Sequence, residues 1–215
     1  MLTGLLGGSF NPAHGGHRRI TRFTIDALDL DEVWWLVSPG NPLKPKAGMA
    51  PLPARVLSAE AQARRTPIVP TAIEQQLGTR FTVDTLAALK RRYPKRRFVW
   101  LMGSDNLAQF HRWKDWRKIA RMMPIAVIAR PGYNGDAMTS PAMAWLRRYR
   151  VSVAGFRKLG QNGKGSAPAL VFLRFDPDPR SATAIRRDNA NWAQDYRSVN
   201  VRDRLTFRQI SGQSS

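Results

Sequence analysis

The chain has no cysteine among its 215 residues. That excludes a disulfide framework, a thiolate nucleophile and a Cys-ligated zinc site. Acids are scarce: 15 Asp and Glu stand against 35 Lys and Arg, a formal net charge of +20. Histidine is scarcer still, with three in the chain, so imidazole chemistry is confined to few positions. No apolar run approaches the roughly 18 residues that read as a membrane span. The amino terminus lacks the charged and apolar regions of a secretory signal. There is no internal repeat. Together these absences predict a cytoplasmic protein with no membrane partner.

Hydrophobic residues make up 43% of the chain, enough for an ordinary globular core, and the length suits a single domain. The positive excess attracts polyanions, whether nucleotides, nucleic acid or an anionic surface. Charge alone does not separate these, and a solvated basic surface gives the same composition.

Short apolar runs at residues 2–6, 33–37, 98–102, 125–129 and 170–175 read as strands. Segments 16–28, 53–64, 82–93 and 106–120 carry helical spacing or composition. Strands that alternate with helices predict parallel βαβ units, hence a Rossmann-like α/β fold: an open, mostly parallel sheet with helices on both faces. Ligands of such sheets bind beyond the carboxyl ends of the strands. The domain is expected over residues 1–205, with flexible loops near 38–53 and 155–168 and a polar tail over 206–215. Residues 131–140, with Pro-Gly and Asn-Gly pairs, also read as a loop.

Directly behind the first apolar run stands Gly7-Gly8-Ser9-Phe10-Asn11-Pro12-Ala13-His14-Gly15-Gly16-His17. A strand, a glycine-rich turn and a helix start expose backbone N–H groups to an anion. His14 and His17 fall within the first helical turn. Taken alone, glycine turns also serve purely conformational ends, and two histidines at this spacing are also half of a metal site or plain surface residues. No third ligand of suitable spacing stands nearby. Near the other end, Ser181-Ala182-Thr183-Ala184-Ile185-Arg186 offers a capping hydroxyl, a second hydroxyl and a guanidinium suited to phosphate. By itself that pattern is more often an ordinary capped helix.

The string GSFNPxHxGH resembles the HxGH signature of the nucleotidylyltransferase superfamily, and in particular that of the bacterial nicotinate-nucleotide adenylyltransferases. The segment from Arg180 to Arg186 is similar to the family's ISSTxIR motif, with Arg180 in place of an aliphatic residue and Ala182 in place of a serine. The resemblance covers residues 3 to about 190. It implies transfer of the adenylyl group of ATP to nicotinate mononucleotide, with Mg²⁺ held through the phosphates rather than by side chains. His14 and His17 would be catalytic. Gly8, Ser9, Phe10, His14, His17, Ser181, Thr183 and Arg186 would bind ATP.

For the mononucleotide the resemblance implies Thr85 in Phe81-Thr82-Val83-Asp84-Thr85, Gly103 and Asp105, and Trp113 as a stacking platform. Asn41-Pro42-Leu43-Lys44 resembles the family's NPPHK loop without its histidine, which leaves Lys44 and Lys46 as alternatives for the mononucleotide phosphate. Arg130-Pro131-Gly132-Tyr133 resembles the family's RPG turn. Alternative readings are an adenylyltransferase for nicotinamide mononucleotide or for phosphopantetheine. The non-enzyme alternative is a nucleic-acid-binding module that uses the basic surface, with a salt-dependent affinity for RNA.

Overall fold

A computed structural model of the chain describes residues 1–40, 48–129, 134–161, 167–175, 181–198 and 200–211. Seven strands form one sheet: β1 (Leu2–Gly8), β2 (Glu32–Val37), β3 (Ile68–Thr71), β4 (Arg97–Gly103), β5 (Ile125–Ile128), β6 (Arg150–Val151) and β7 (Leu170–Leu173). Their order is β3-β2-β1-β4-β5-β7-β6, and every pairing between them is parallel. The helices are α1 (Gly15–Leu28), α2 (Leu52–Ala63), α3 (Ile73–Leu77), α4 (Thr82–Arg92), α5 (Ser104–Gln109), α6 (Trp116–Met122), α7 (Asn134–Thr139), α8 (Pro141–Leu146), α9 (Val153–Gln161) and α10 (Ala182–Asp188).

Strands β2, β4, β5 and β7 are largely buried on both faces, which is why they read as continuous apolar runs. Alternation along β4 divides the core: Phe98, Trp100 and Met102 face one hydrophobic cluster, Val99 and Leu101 the other. The chain reverses its direction of travel across the sheet between β1 and β4, the two central strands joined in register from Leu2 opposite Arg97. A crevice outside the carboxyl ends of the strands is expected at that switch point.

Two strands had no legible signal. β3 contains Pro70, which suits an edge strand because one flank needs no ladder hydrogen bond. β6 is two residues long. Elsewhere the structure corrects the reading. The single helix expected over 106–120 is two, α5 and α6, joined by a 3₁₀ turn (Phe110–Arg112) and Asp115 in the left-handed region at φ 48. Edge-to-face contacts of Phe110 with Trp113 and Trp116 hold that break.

The loop expected over 131–140 holds α7, whose Ala137 is buried, and Ser140 caps α8 by accepting from the Met143 N–H. Packing there overrides the turn propensity of Asn-Gly. The loop expected near 155–168 is helical in its first part. Phe156 anchors α9 in the core, and Arg157 donates to the carbonyls of Asp26 and Ala27 at the end of α1. Of the tail expected over 206–215, the described residues 206–211 are docked, with Ile210 buried beside Val201.

Candidate active site

Gly7 and Gly8 end β1 at the switch point. A Cβ on Gly7 would lie 2.8 Å from Cη2 of Trp100, so only glycine lets that indole reach across to β1. Phe10 follows at φ 46, its ring stacked on Trp35 with centroids 5.0 Å apart. The Phe10 side chain is therefore part of the core, and this residue offers a ligand only its backbone. Asn11 pins the loop: its amide donates to the Gly48 carbonyl (2.9 Å) and accepts from the Ala50 N–H (3.1 Å).

The histidines do not both lie inside the first turn. His14 is the N-cap of α1 and His17 occupies the third helical position, which makes a capping box. His14 Nδ1 accepts from the Gly16 N–H at 3.1 Å, and His17 Nδ1 accepts from the His14 N–H at 3.2 Å. A ring nitrogen that accepts a backbone N–H bears no proton, so each neutral imidazole carries its proton on Nε2. The two rings lie side by side, centroids 3.9 Å apart, at the positive end of a 14-residue helix whose first turn holds no acid. This end of α1 is set up to receive an anion.

The second motif meets the first here. Arg186 donates to the Asn11 carbonyl at 2.6 Å and to Thr183 Oγ1 at 3.2 Å. Ser181 caps α10 through the Ala184 N–H, 3.1 Å away. One hydrogen bond thus joins residues 175 positions apart in the chain.

A crevice opens between β1, β4 and the starts of α4 and α5. Gly8, Ser9, Trp100, Asn106, Gln109 and Trp113 line it, with Arg80, Arg112 and Lys114 as its cations. Trp113 stands edge-to-face against Trp100 and is half-buried, a flat apolar wall for a flat heterocycle. Gly103 and Asp105 do not line the crevice; they shape the turn from β4 into α5, whose Asn106 and Gln109 do. Thr85 is fully buried beneath it. Its hydroxyl donates to Glu74 Oε1 (3.1 Å) and lies 2.8 Å from Thr79 Oγ1. Phe81 and Thr82, at the start of the same helix, are the lining residues. His14, His17 and Arg186 are not among the residues that line this crevice. Lys44, Lys46 and the turn at 130–133 lie outside the described residues.

Two residues were invisible to sequence reasoning. One is Arg55, fully buried on α2, with its guanidinium on the carbonyls of Ser9, Ser38 and Ala50. An arginine in an amphipathic stretch of a chain this basic carries no distinguishing signal. The other is Glu74, whose carboxyl stands in the crevice wall. Burial pushes it up to about 7, against the opposing pull of hydrogen bonds from Thr85 and Ser38.

The raised value has a definite sign for stability. Folded Glu74 keeps its proton at pH values where the unfolded chain has lost it, so stability falls as pH rises from the ordinary carboxyl range to about 7 and then levels. Glu74→Gln removes that loss. Its melting temperature relative to the parent is expected to rise between about pH 5 and about pH 8, and a constant difference would show that burial does not govern this carboxyl.

A family model described as cytidylyltransferase-like matches residues 5–188. A probable nicotinate-nucleotide adenylyltransferase of Erythrobacter litoralis is 67% identical over 211 residues, which cover 98% of this chain and 95% of that protein. A protein of the same description from Cereibacter sphaeroides is 50% identical over 186 residues, covering 86% and 96%. Among solved structures, the nicotinic acid mononucleotide adenylyltransferase of Plasmodium falciparum complexed with NaAD superposes with a TM-score of 0.63 over 86% of this chain and 82% of its own, at 15% identity. At that identity the likeness is one of fold.

Proposed function

Because the chain belongs to the cytidylyltransferase-like family, in its nicotinate-nucleotide adenylyltransferase branch, we propose that it transfers the adenylyl group of ATP to nicotinate mononucleotide. The products are the dinucleotide and pyrophosphate. One observation carries the reading beyond the family: the bond from Arg186 to the Asn11 carbonyl makes the glycine-histidine loop and the Ser181–Arg186 segment one site. An aromatic crevice adjoins that site at Gly8 and Ser9.

The chemistry asks little of the protein in covalent terms. A phosphate oxygen of the mononucleotide attacks the α-phosphorus of ATP in line and forms a new P–O–P bridge. The bond from that phosphorus to the β-phosphate oxygen breaks, and pyrophosphate leaves with the electron pair. The attacking oxygen is already anionic at neutral pH, so no general base is needed. What remains is positioning and charge stabilisation. His14 and His17, with their protons on Nε2, serve as hydrogen-bond donors to the phosphate under attack. Arg186, with Thr183 and Ser181, holds the departing phosphates. Trp113 and Trp100 bound the slot for the pyridine ring, and Thr85 acts on it through Glu74.

Mg²⁺ fits as an ion carried on the phosphates. Both histidine Nδ1 atoms are taken up by backbone N–H donors, and among the described residues no group of three His, Asp or Glu side chains could hold it. When bound, such an ion draws charge from the departing pyrophosphate. Among the described residues no helix is long and apolar enough to cross a membrane, and we place the enzyme in the cytoplasm with its two nucleotide substrates.

The test is pyrophosphate release from ATP and Mg²⁺ with nicotinate mononucleotide, nicotinamide mononucleotide or phosphopantetheine supplied in turn. Release with the nicotinate compound is the expected result, and silence with all three overturns the reading. Within the same assay, Trp113→Ala is expected to raise KM for nicotinate mononucleotide about tenfold, the loss of one aromatic stacking partner, and to leave KM for ATP unchanged. Equal changes in both would remove Trp113 from the acceptor side.

A further inference from the structure

Arg55 has no role in the chemistry described above, yet it is among the largest fully buried side chains. Four backbone carbonyls receive its guanidinium. Nε donates to Ala50 at 2.9 Å, one terminal nitrogen to Ser9 at 2.9 Å and to Ser38 at 2.6 Å, and the other to Pro39 at 3.4 Å. No carboxylate pairs with it among the described residues. Burial lowers its pKa to about 10, which leaves it charged at neutral pH. Carbonyl dipoles solvate the charge without cancelling it, so a net positive field stays just under the loop that follows β1.

The bond to Ser9 has a second consequence. In a trans peptide the carbonyl and the following N–H point in opposite directions. With the Ser9 carbonyl turned towards Arg55, the Phe10 N–H is turned away from it. Phe10 sits at φ 46, a left-handed conformation that a side-chain-bearing residue keeps only when its surroundings hold it. The stack on Trp35 holds the ring, and Arg55 holds the peptide. Ser38, the other main carbonyl partner, donates its own N–H to the Gly8 carbonyl at 3.0 Å. Arg55 therefore ties the loop after β1 to the end of β2 and to the entry of α2 at one point.

We propose that Arg55 is a positioning residue for the polyphosphate: it orients the Ser9–Phe10 peptide and supplies, from behind the loop, a positive charge that the bound phosphates neutralise. The proposal rests on the reading that the loop after β1 receives the phosphates of ATP. Arg55→Lys keeps the charge and loses the fork. Arg55→Met keeps the length and loses both.

The test reads two quantities in each variant: the affinity for inorganic pyrophosphate with Mg²⁺, from the concentration dependence of the melting temperature, and kcat/KM for ATP. Arg55→Met is expected to weaken pyrophosphate binding about 30-fold, the scale of one charge-assisted hydrogen bond, with kcat/KM for ATP falling by a similar factor. Arg55→Lys is expected to fall between parent and Arg55→Met. A variant that melts earlier but binds pyrophosphate and turns over ATP as the parent does would make Arg55 a packing residue and overturn the proposal. If Arg55→Met does not fold, Arg55→Lys decides by the same criterion. The pyrophosphate measurement needs no acceptor, so failure of adenylyl transfer in the parent counts against the function while the binding comparison still judges Arg55. A parent that does not bind pyrophosphate overturns the proposal outright.

Discussion

His17→Gln is expected to lower turnover by about a hundredfold, the lower scale for disturbing one preorganised donor to developing charge, while the melting temperature stays close to that of the parent. The substitution separates two jobs that the residue performs at once. As third residue of α1, His17 accepts the His14 N–H and completes the capping box. Glutamine is a normal occupant of that position and can accept the same N–H, so the helix start is retained. Its amide N–H groups sit on a flexible chain rather than at the tip of a rigid ring, so the hydrogen bond to phosphate loses its fixed geometry. His14→Asn makes the matching test at the cap, because asparagine is among the best N-cap residues. His17→Ala, by contrast, removes both jobs and reports a mixture. A His17→Gln enzyme with near-normal turnover and a normal melting temperature would reduce the histidine to a capping residue and sink the clamp on the phosphate.

Asp203→Ala is expected to cost about 3 kcal/mol, the scale for removing one side of a buried, charge-assisted network. For a chain of this size that is a fall of about 6–12 °C in melting temperature. Asp203 is fully buried. One oxygen accepts from Thr71 Oγ1 (2.8 Å) and the Ala72 N–H (2.5 Å), at the end of edge strand β3. The other accepts from the N–H groups of Leu205 and Thr206 and from the Thr206 hydroxyl, closing its own turn. The residue fastens segment 200–211 across that edge and lets Val201 and Ile210 bury their side chains. Pyrophosphate affinity per folded molecule should be unchanged, because the network stands apart from the loop after β1. A melting temperature within 2 °C of the parent would mean that the segment contributes little.

The legible parts of this chain are those written in local pattern. The strands at residues 2–6, 33–37 and 98–102 read correctly because both faces are buried and each is a continuous apolar run bounded by turn residues. The loop after β1, proposed to receive the phosphates, stands out in the sequence because Gly7, Gly8, His14 and His17 lie close together in the chain. Where tertiary packing outweighs propensity, the pattern misled. Asn134-Gly135 reads as a turn yet begins a helix, because Ala137 has a core to enter. Residues 106–120 read as one helix yet break at Asp115, because Phe110, Trp113 and Trp116 pack edge-to-face. Residues 206–215 read as a polar tail, yet 206–211 dock, because one buried carboxylate, Asp203, accepts five hydrogen bonds.

Local pattern set the fold class, the position of the loop after β1 and the chemical types proposed to face a phosphate. Each of these depends on residues a few positions apart, and the backbone periodicity of strand and helix is local. Long-range packing set the closing of Arg186 on Asn11, the turning of the Thr85 hydroxyl to Glu74 instead of the crevice, and the seating of Arg55 on the carbonyls of Ser9, Ser38, Pro39 and Ala50. Those relations join residues far apart in the chain. They exist because parallel strands bring distant loops to one end of the sheet, where burial sets which polar groups must pair.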